Sequence, residues 1–143
     1  MPLMFRRLFT VLVLACGIAA CVTREPSPQE TASKRFETVA GKSAVYLFRD
    51  RSDLSDSAIS FTIDGAHAGT TYRGTYYRFE LAPGRHRLAG FAADVGTLEF
   101  AVEAGGLYFI RHTAIRLRGL EHSVFQMMPA DYGRAAVLRY EMN

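Results

Sequence analysis

From Ala44 to Met128 the apolar residues fall in short alternating runs, most of them closed by glycine, proline or aspartate. A period of two buries one face of a strand, whereas a helix needs a period near 3.6, so the pattern selects an all-β fold. Ala44, Tyr46 and Phe48 share one face of the first run, and the polar stretch Asp50 to Ser57 after it reads as a loop. Ile59 to Ile63 leads into Asp64-Gly65, a dipeptide suited to a two-residue type I′ hairpin because both central residues take positive φ. That turn pairs Ile63 with Ala66, Thr62 with His67 and Phe61 with Ala68, leaving His67 exposed.

The later runs continue the pattern. Tyr77, Phe79 and Leu81 point inward, with Tyr76, Arg78 and Glu80 outward. Ala82-Pro83-Gly84-Arg85 carries Pro and Gly where a type II turn takes them, and it predicts a hairpin with Phe79 opposite Leu88, Glu80 opposite Arg87 and Leu81 opposite His86. A slip by one residue would turn that apolar set to water. Leu98, Phe100 and Val102 line one face of the next run, Gly105-Gly106 turns the chain, and Leu107 to Arg116 is apolar on both faces, as a central strand is. Ser123 to Met128 is the last strand. Pro129 suits the first position of a helix, Asp131 and Arg139 complement its dipole, and Tyr132, Ala135, Leu138 and Met142 recur at helical spacing toward the sheet. The expected domain, residues 43–143, is a single antiparallel β-sandwich of about seven to eight strands with a short C-terminal helix.

A different pattern precedes it. Arg6 and Arg7 are followed by Leu8 to Ala20, apolar or small except Thr10, which is the layout of an export signal and too short to span a bilayer. Ile18-Ala19-Ala20-Cys21 resembles the lipobox of bacterial lipoproteins. The resemblance implies removal of residues 1–20, a diacylglyceryl group on the Cys21 thiol and acylation of the new amino terminus, with palmitate-type chains as the membrane anchor. Cys16 is the rival, but it would shorten the apolar core and put Leu14 two positions upstream. Arg6-Arg7-Leu8-Phe9 resembles part of a twin-arginine signal, yet Phe5 stands where Ser or Thr belongs, so the ordinary export route is expected. Val22 stands where such lipoproteins held in the inner membrane carry Asp, which implies a lipid anchor in the bacterial outer membrane and a periplasm-facing domain.

Loss of the signal takes Arg6 and Arg7 from 17 basic residues against 14 acidic ones, and the formal charge falls from +3 to +1. No clustered basic surface for nucleic acid is implied. Cys16 leaves with the signal and lipid occupies Cys21, so the core must hold without a disulfide or a cysteine metal site. Residues 21–42, with Pro26, Ser27, Pro28, Gln29 and Glu30, are polar enough to read as a flexible tether of root-mean-square reach about 25 Å.

Motifs for catalysis fail. Gly41-Lys42-Ser43 lacks the upstream glycine of a phosphate-binding loop, where Phe36 stands, and there is neither a Gly-x-Ser-x-Gly elbow nor a His-Glu-x-x-His helix. His86 and His112 fall among apolar neighbours and read as hydrogen-bonded core histidines rather than metal ligands. Outward Tyr76 and Arg78, with Arg85, form the candidate surface for an anionic glycan or lipid phosphate.

The run Val45-Tyr46-Leu47-Phe48-Arg49, the Ile63-Asp64-Gly65 turn with Gly69, Gly74-Thr75-Tyr76-Tyr77, Leu81-Ala82-Pro83-Gly84-Arg85-His86 and Gly105-Gly106-Leu107-Tyr108 together resemble the bacterial lipoprotein family called domain of unknown function 2846. The likeness covers Ser43 to Tyr140, with Leu107 as a departure, and the Asp-Gly to Pro-Gly-x-His portion is also similar to the PEGA β module. Both resemblances imply a β-sandwich and neither supplies an activity. The expected protein is a structural or binding module of the cell envelope, without cofactor or metal, whose partner is the membrane and an envelope protein or anionic glycan. The rival is a hydrolase or metal-dependent enzyme whose site, joining His86, His112 and a carboxylate, only the fold assembles.

Overall fold

Strand β1 (Ser43–Arg49) is buried along its whole length, so both of its faces need a cover. The computed structural model, which describes residues 23–143, supplies two; Cys16, Cys21 and the expected signal lie outside the described residues. β1 occupies the middle of a five-stranded sheet of order β8-β7-β1-β4-β9, built from β4 (Thr75–Leu81), β7 (Leu107–Leu117), β8 (Leu120–Met128) and β9 (Glu141–Met142). A four-stranded sheet of order β3-β2-β5-β6 faces it, formed by β2 (Ile59–Ile63), β3 (Ala66–Thr71), β5 (Gly84–Phe91) and β6 (Val95–Val102). The expected β-sandwich forms, and its pairing is mixed: β1 runs antiparallel to β4 and parallel to β7.

Between the sheets lie Val45, Leu47, Phe61, Leu88, Phe100, Val102, Ile110 and Phe125. Tyr77, Phe79 and Leu81 pack against this core, as the alternation requires. They do not meet Leu88 and His86 along a hairpin ladder, however. β4 and β5 belong to different sheets, and Ala82-Pro83 carries the chain across the sandwich. Proline has no N–H for a ladder, and the crossing lets β4 pair with β1 while β5 pairs with β2 and β6. The Gly105-Gly106 turn likewise crosses from β6 to β7 instead of closing a hairpin.

The Asp64-Gly65 turn has φ of 52° and 81°, with Ile63 opposite Ala66 and Thr62 opposite His67. The register then shifts, so that Phe61 faces Gly69 and not Ala68. A Cβ on Gly69 would lie 2.7 Å from the Tyr77 ring, whose hydroxyl accepts from Thr70 N at 3.1 Å and donates to Thr70 O at 2.9 Å. The bulge therefore makes room for a tyrosine reaching across from the other sheet.

The outer face of the five-stranded sheet carries a second core of Ala44, Tyr46, Phe48, Tyr76 and Phe109 with Ala136, Val137 and Tyr140. Two short helices cover it. Helix α1 (Pro28–Ser33) starts at Ser27, whose hydroxyl accepts from Glu30 N at 3.0 Å, and it buries Glu30 and Ser33. Tyr46 donates to Ser33 O at 2.5 Å, the Ser33 and Tyr76 hydroxyls meet at 2.5 Å, and Phe36 packs on Tyr46 and Phe109. Residues 28–36 are thus part of the fold, which corrects the flexible-tether reading of this stretch. Its polar composition conceals attachment through hydrogen bonds to tyrosines.

Helix α2 (Ala130–Arg139) begins one residue later than expected, with Pro129 outside it, and it buries Gly133, Ala136 and Val137. Of the expected stripe, Ala135 and Leu138 face water, whereas the Tyr132 ring lies 6.2 Å from Phe48 with its hydroxyl donating to Asp50 Oδ2 at 3.0 Å, and Met142 packs against the outer core from β9. Gly133 decides which face docks, because a Cβ there would lie 2.1 Å from Phe109 Cγ and 2.4 Å from its Cβ. Gly133→Ala gains about 1 kcal/mol of helix propensity, whereas overpacking costs about 1–3 kcal/mol. Contact at the ring root, which cannot swing away, puts the balance on the side of loss. We expect Gly133→Ala to lower the melting temperature, and Phe109→Leu in the same chain to recover part of the loss; thermal denaturation of the parent chain and the two variants checks it.

Candidate functional site

Interior positions of β1 read Val45, Leu47, Arg49, so the strand that fills the core ends by placing a guanidinium inside it. Arg49 is fully buried and every nitrogen is used: Nε donates to Asp53 Oδ2 at 2.7 Å, Nη2 to Ser55 O at 2.7 Å, and Nη1 to Ser57 O at 2.5 Å and Thr71 O at 3.4 Å. Asp53 Oδ2 also accepts from Ala114 N at 2.9 Å. Residues 50–58, the connection between β1 and β2, are thereby wound around one cation.

His112 stands beside Arg49 in the parallel register of β1 and β7. Its ring is fully buried, stacked on Phe125 at 4.4 Å, with Nδ1 2.8 Å from Thr71 Oγ1 and Nε2 2.7 Å from Ser123 Oγ. Burial, then the adjacent Arg49 charge, lowers its pKa to about 4, with Asp53 opposing in part. His112 and Ser123 make the base–nucleophile contact of acyl-transfer enzymes, yet Thr71 occupies the place of the orienting carboxylate. Ser123 is buried too, so the pair is sealed from solvent. At the rim, Glu121 accepts from Ser55 Oγ and from Arg116 at 2.8 Å, and hydrogen bonds from Ser55 and Ser57, then Arg116, hold its pKa near 2.

The candidate surface residues do not form one site. Tyr76 is fully buried under α1, Arg78 is 17% exposed, and Arg85 lies on the other sheet at 83% exposure, 3.6 Å from Glu99. Arg78 spends its donors on Glu80 Oε1 at 2.7 Å, Glu37 O at 2.9 Å and the Tyr46 hydroxyl at 3.2 Å. A cleft of about 290 Å³ adjoins it, lined also by Ser33, Glu37 and Glu80. Two carboxylates beside an engaged arginine do not make an anion site, which corrects the expected Tyr76, Arg78, Arg85 surface; the outward reading of Tyr76 failed because the alternation cannot show that a helix covers that face.

Nor do the two histidines converge. His86 Nδ1 is 2.7 Å from Asp64 Oδ2 and Nε2 is 2.8 Å from Ala82 O, while Asp64 Oδ1 accepts from Arg87 N at 2.8 Å. Burial pulls the His86 pKa down, but the Ala82 and Asp64 acceptors outweigh it and raise the pKa, as two acceptors must for a ring that donates from both nitrogens. The His86 hydrogen bond, then the Arg87 amide, lowers Asp64. Among the described residues no three His, Cys, Asp or Glu side chains gather as metal ligands, and no helix is long and apolar enough to cross a membrane. Arg49 and Asp53, the centre of the buried network, went unnoticed in the sequence, where the sign was an arginine at an interior strand position with an aspartate four residues on.

The architecture defines a helix-covered β-sandwich closed at one end by a buried polar plug. A family model described as a protein of unknown function, DUF2846, matches residues 39–126, and the chain belongs to that family. The match spans β1 to most of β8 and excludes both helices. No curated protein matches the chain.

The two histidines give opposite pH signatures. His86, with a raised pKa, stabilises the fold at low pH and loses that contribution as pH rises through its folded pKa. His112, depressed from 6.5 to about 4, favours the folded state when neutral, so its contribution is full above pH 6.5 and is lost as pH falls toward 4. The span corresponds to about 3 kcal/mol. Chemical denaturation across that window should show a shallower decline for His112→Gln than for the parent chain; parallel declines would place the titration elsewhere.

Proposed function

We propose that the protein is a lipid-anchored module of the bacterial cell envelope, attached through Cys21, that acts through its surface and not through catalysis. The observation that carries this reading is the Ile18-Ala19-Ala20-Cys21 tetrad behind a charged and apolar leader. Support comes from the fold, whose reactive-looking pair, His112 and Ser123, is buried. Val22 favours the outer membrane with the domain in the periplasm, and the partner is an envelope protein or glycan met by the exposed faces. The leash is short. Five residues lie between Cys21 and the helix cap Ser27, a span of about 20 Å at full extension, so the domain stays beside the lipid.

A hydrolase is the second reading, and the 2.7 Å contact of His112 with Ser123 is what favours it. A serine-directed fluorophosphonate would label Ser123 under that reading, and we expect no labelling of the native protein.

Processing supplies the direct test. Cys21→Ser should leave an unlipidated precursor that keeps residues 1–20, whereas Cys16→Ser should be processed normally; intact mass reports both. Loss of acyl mass in the Cys16 variant alone would move the anchor, and co-fractionation with inner-membrane vesicles would refute the outer-membrane assignment.

A further inference from the structure

We infer that one end of the sandwich, formed by residues 50–58, 72–74 and 118–119, lies against the phospholipid surface, with Leu54, Tyr72, Leu117 and Leu120 in the headgroup layer and Arg51 and Arg118 facing lipid phosphates. The inference rests on anchoring through Cys21 and adds to it an orientation.

The topology brings these segments together. Residues 50–58 leave β1 at Arg49, and residues 72–74 feed β4 at Thr75, which pairs with Arg49. β7 runs parallel to β1 and extends past the Arg49–His112 position, so its turn into β8 projects furthest in the same direction. The anchoring segment arrives there too. Arg24 binds Glu141 at 3.0 Å, and Glu141 pairs with Thr75. From Cys21 to Arg24 is three residues, about 10 Å at full extension, so the lipid must lie near this end.

Surface chemistry agrees. Leu54 is 94% exposed, Leu117 55%, Leu120 58% and Tyr72 48%. Exposed leucines scattered singly are ordinary, but these crowd one end, while at the opposite end residues 64–65, 82–83 and 103–106 contribute no exposed large apolar side chain and residues 39–42 contribute Val39. Arg51 and Arg118 are exposed on the same end and form no ion pair among the described residues, whereas Arg73 and Arg116 are paired with Asp56 and Glu121. Leucine and tyrosine with free arginines suit the interface of a membrane that carries anionic lipid. Tethering also raises the effective concentration of the surface to the millimolar range, so a contact too weak to bind free protein becomes populated.

The test uses the lipidated full chain from cells, reconstituted in phosphatidylglycerol-containing phospholipid vesicles. With Cys21 occupied by lipid, Leu54→Cys supplies a thiol for an environment-sensitive fluorophore, and Ala104→Cys labels the exposed opposite turn. We expect the Leu54 label to shift blue and to be quenched by spin-labelled lipid, with the Ala104 label unaffected. Equal quenching at both positions, or none at Leu54 in protein that floats with the vesicles, would overturn the orientation while leaving the anchor standing. Disulfide crosslinking between Leu54→Cys copies without lipid quenching would overturn it in favour of self-association. Protein that lacks acyl mass and does not float would remove the anchor and the orientation together.

Discussion

The Arg49–Asp53 pair holds one end of the sandwich closed, and the arrangement of that end depends on it. Taking two charges from water costs several kcal/mol each, a penalty that a lone pair in the interior rarely recovers. Here the guanidinium also donates to three carbonyls and the carboxylate accepts an amide of β7. Carbonyls of residues 55 and 57 in the connection and of residue 71 at the end of β3 are satisfied by one side chain. A hydrophobic residue at position 49 would fill the volume and orphan those groups, so the pair governs loop shape as much as stability.

From that plug the two layers follow. Because β1 pairs with β4 and β7, its interior face contributes Val45 and Leu47 to the sandwich and then Arg49 and its neighbour His112 to the polar end. Its other face needs a cover that no strand supplies. Helices α1 and α2 provide it from segments outside residues 39–126, so the part of this chain that matches the family carries an apolar face covered by its own flanks. Gly133 and Ser33 show two ways to make such a cover in little space, by removing a side chain and by bonding to tyrosine hydroxyls.

Strand positions and the type I′ turn were legible because alternation and positive φ are local properties. Partner strands were not. Tyr77, Phe79 and Leu81 do pack on the core that contains Leu88, but across the sandwich and not along a ladder, since a period of two reports which face is apolar and is silent on which strand supplies the hydrogen bonds. The outer core failed to show for a related reason. Tyr46 and Tyr76 carry hydroxyls that make a face look wet until a helix satisfies them, and Arg78 looks free in a sequence that cannot show Glu37 O, Glu80 and Tyr46 converging on it. Of the candidate binding residues, Arg85 alone kept the exposed position that alternation implied.

Once both helices lie on the five-stranded sheet, the uncovered broad face is the outer side of β3-β2-β5-β6. It presents Ser60, His67, Arg87, Thr97 and Glu99 in exposed positions, the solvated side that an antiparallel sheet of a sandwich can keep. Phe91 and Val95, opposite each other at 47% and 56% exposure, are its large apolar side chains, and they border a cleft of about 240 Å³ with Arg87 and Thr62. A partner meeting this face would find a polar surface with one small apolar foothold, which suits a weak and reversible contact better than an obligate interface. Under the proposed anchoring at Cys21, weak contacts would suffice, because confinement to a surface would supply the concentration that affinity otherwise has to replace.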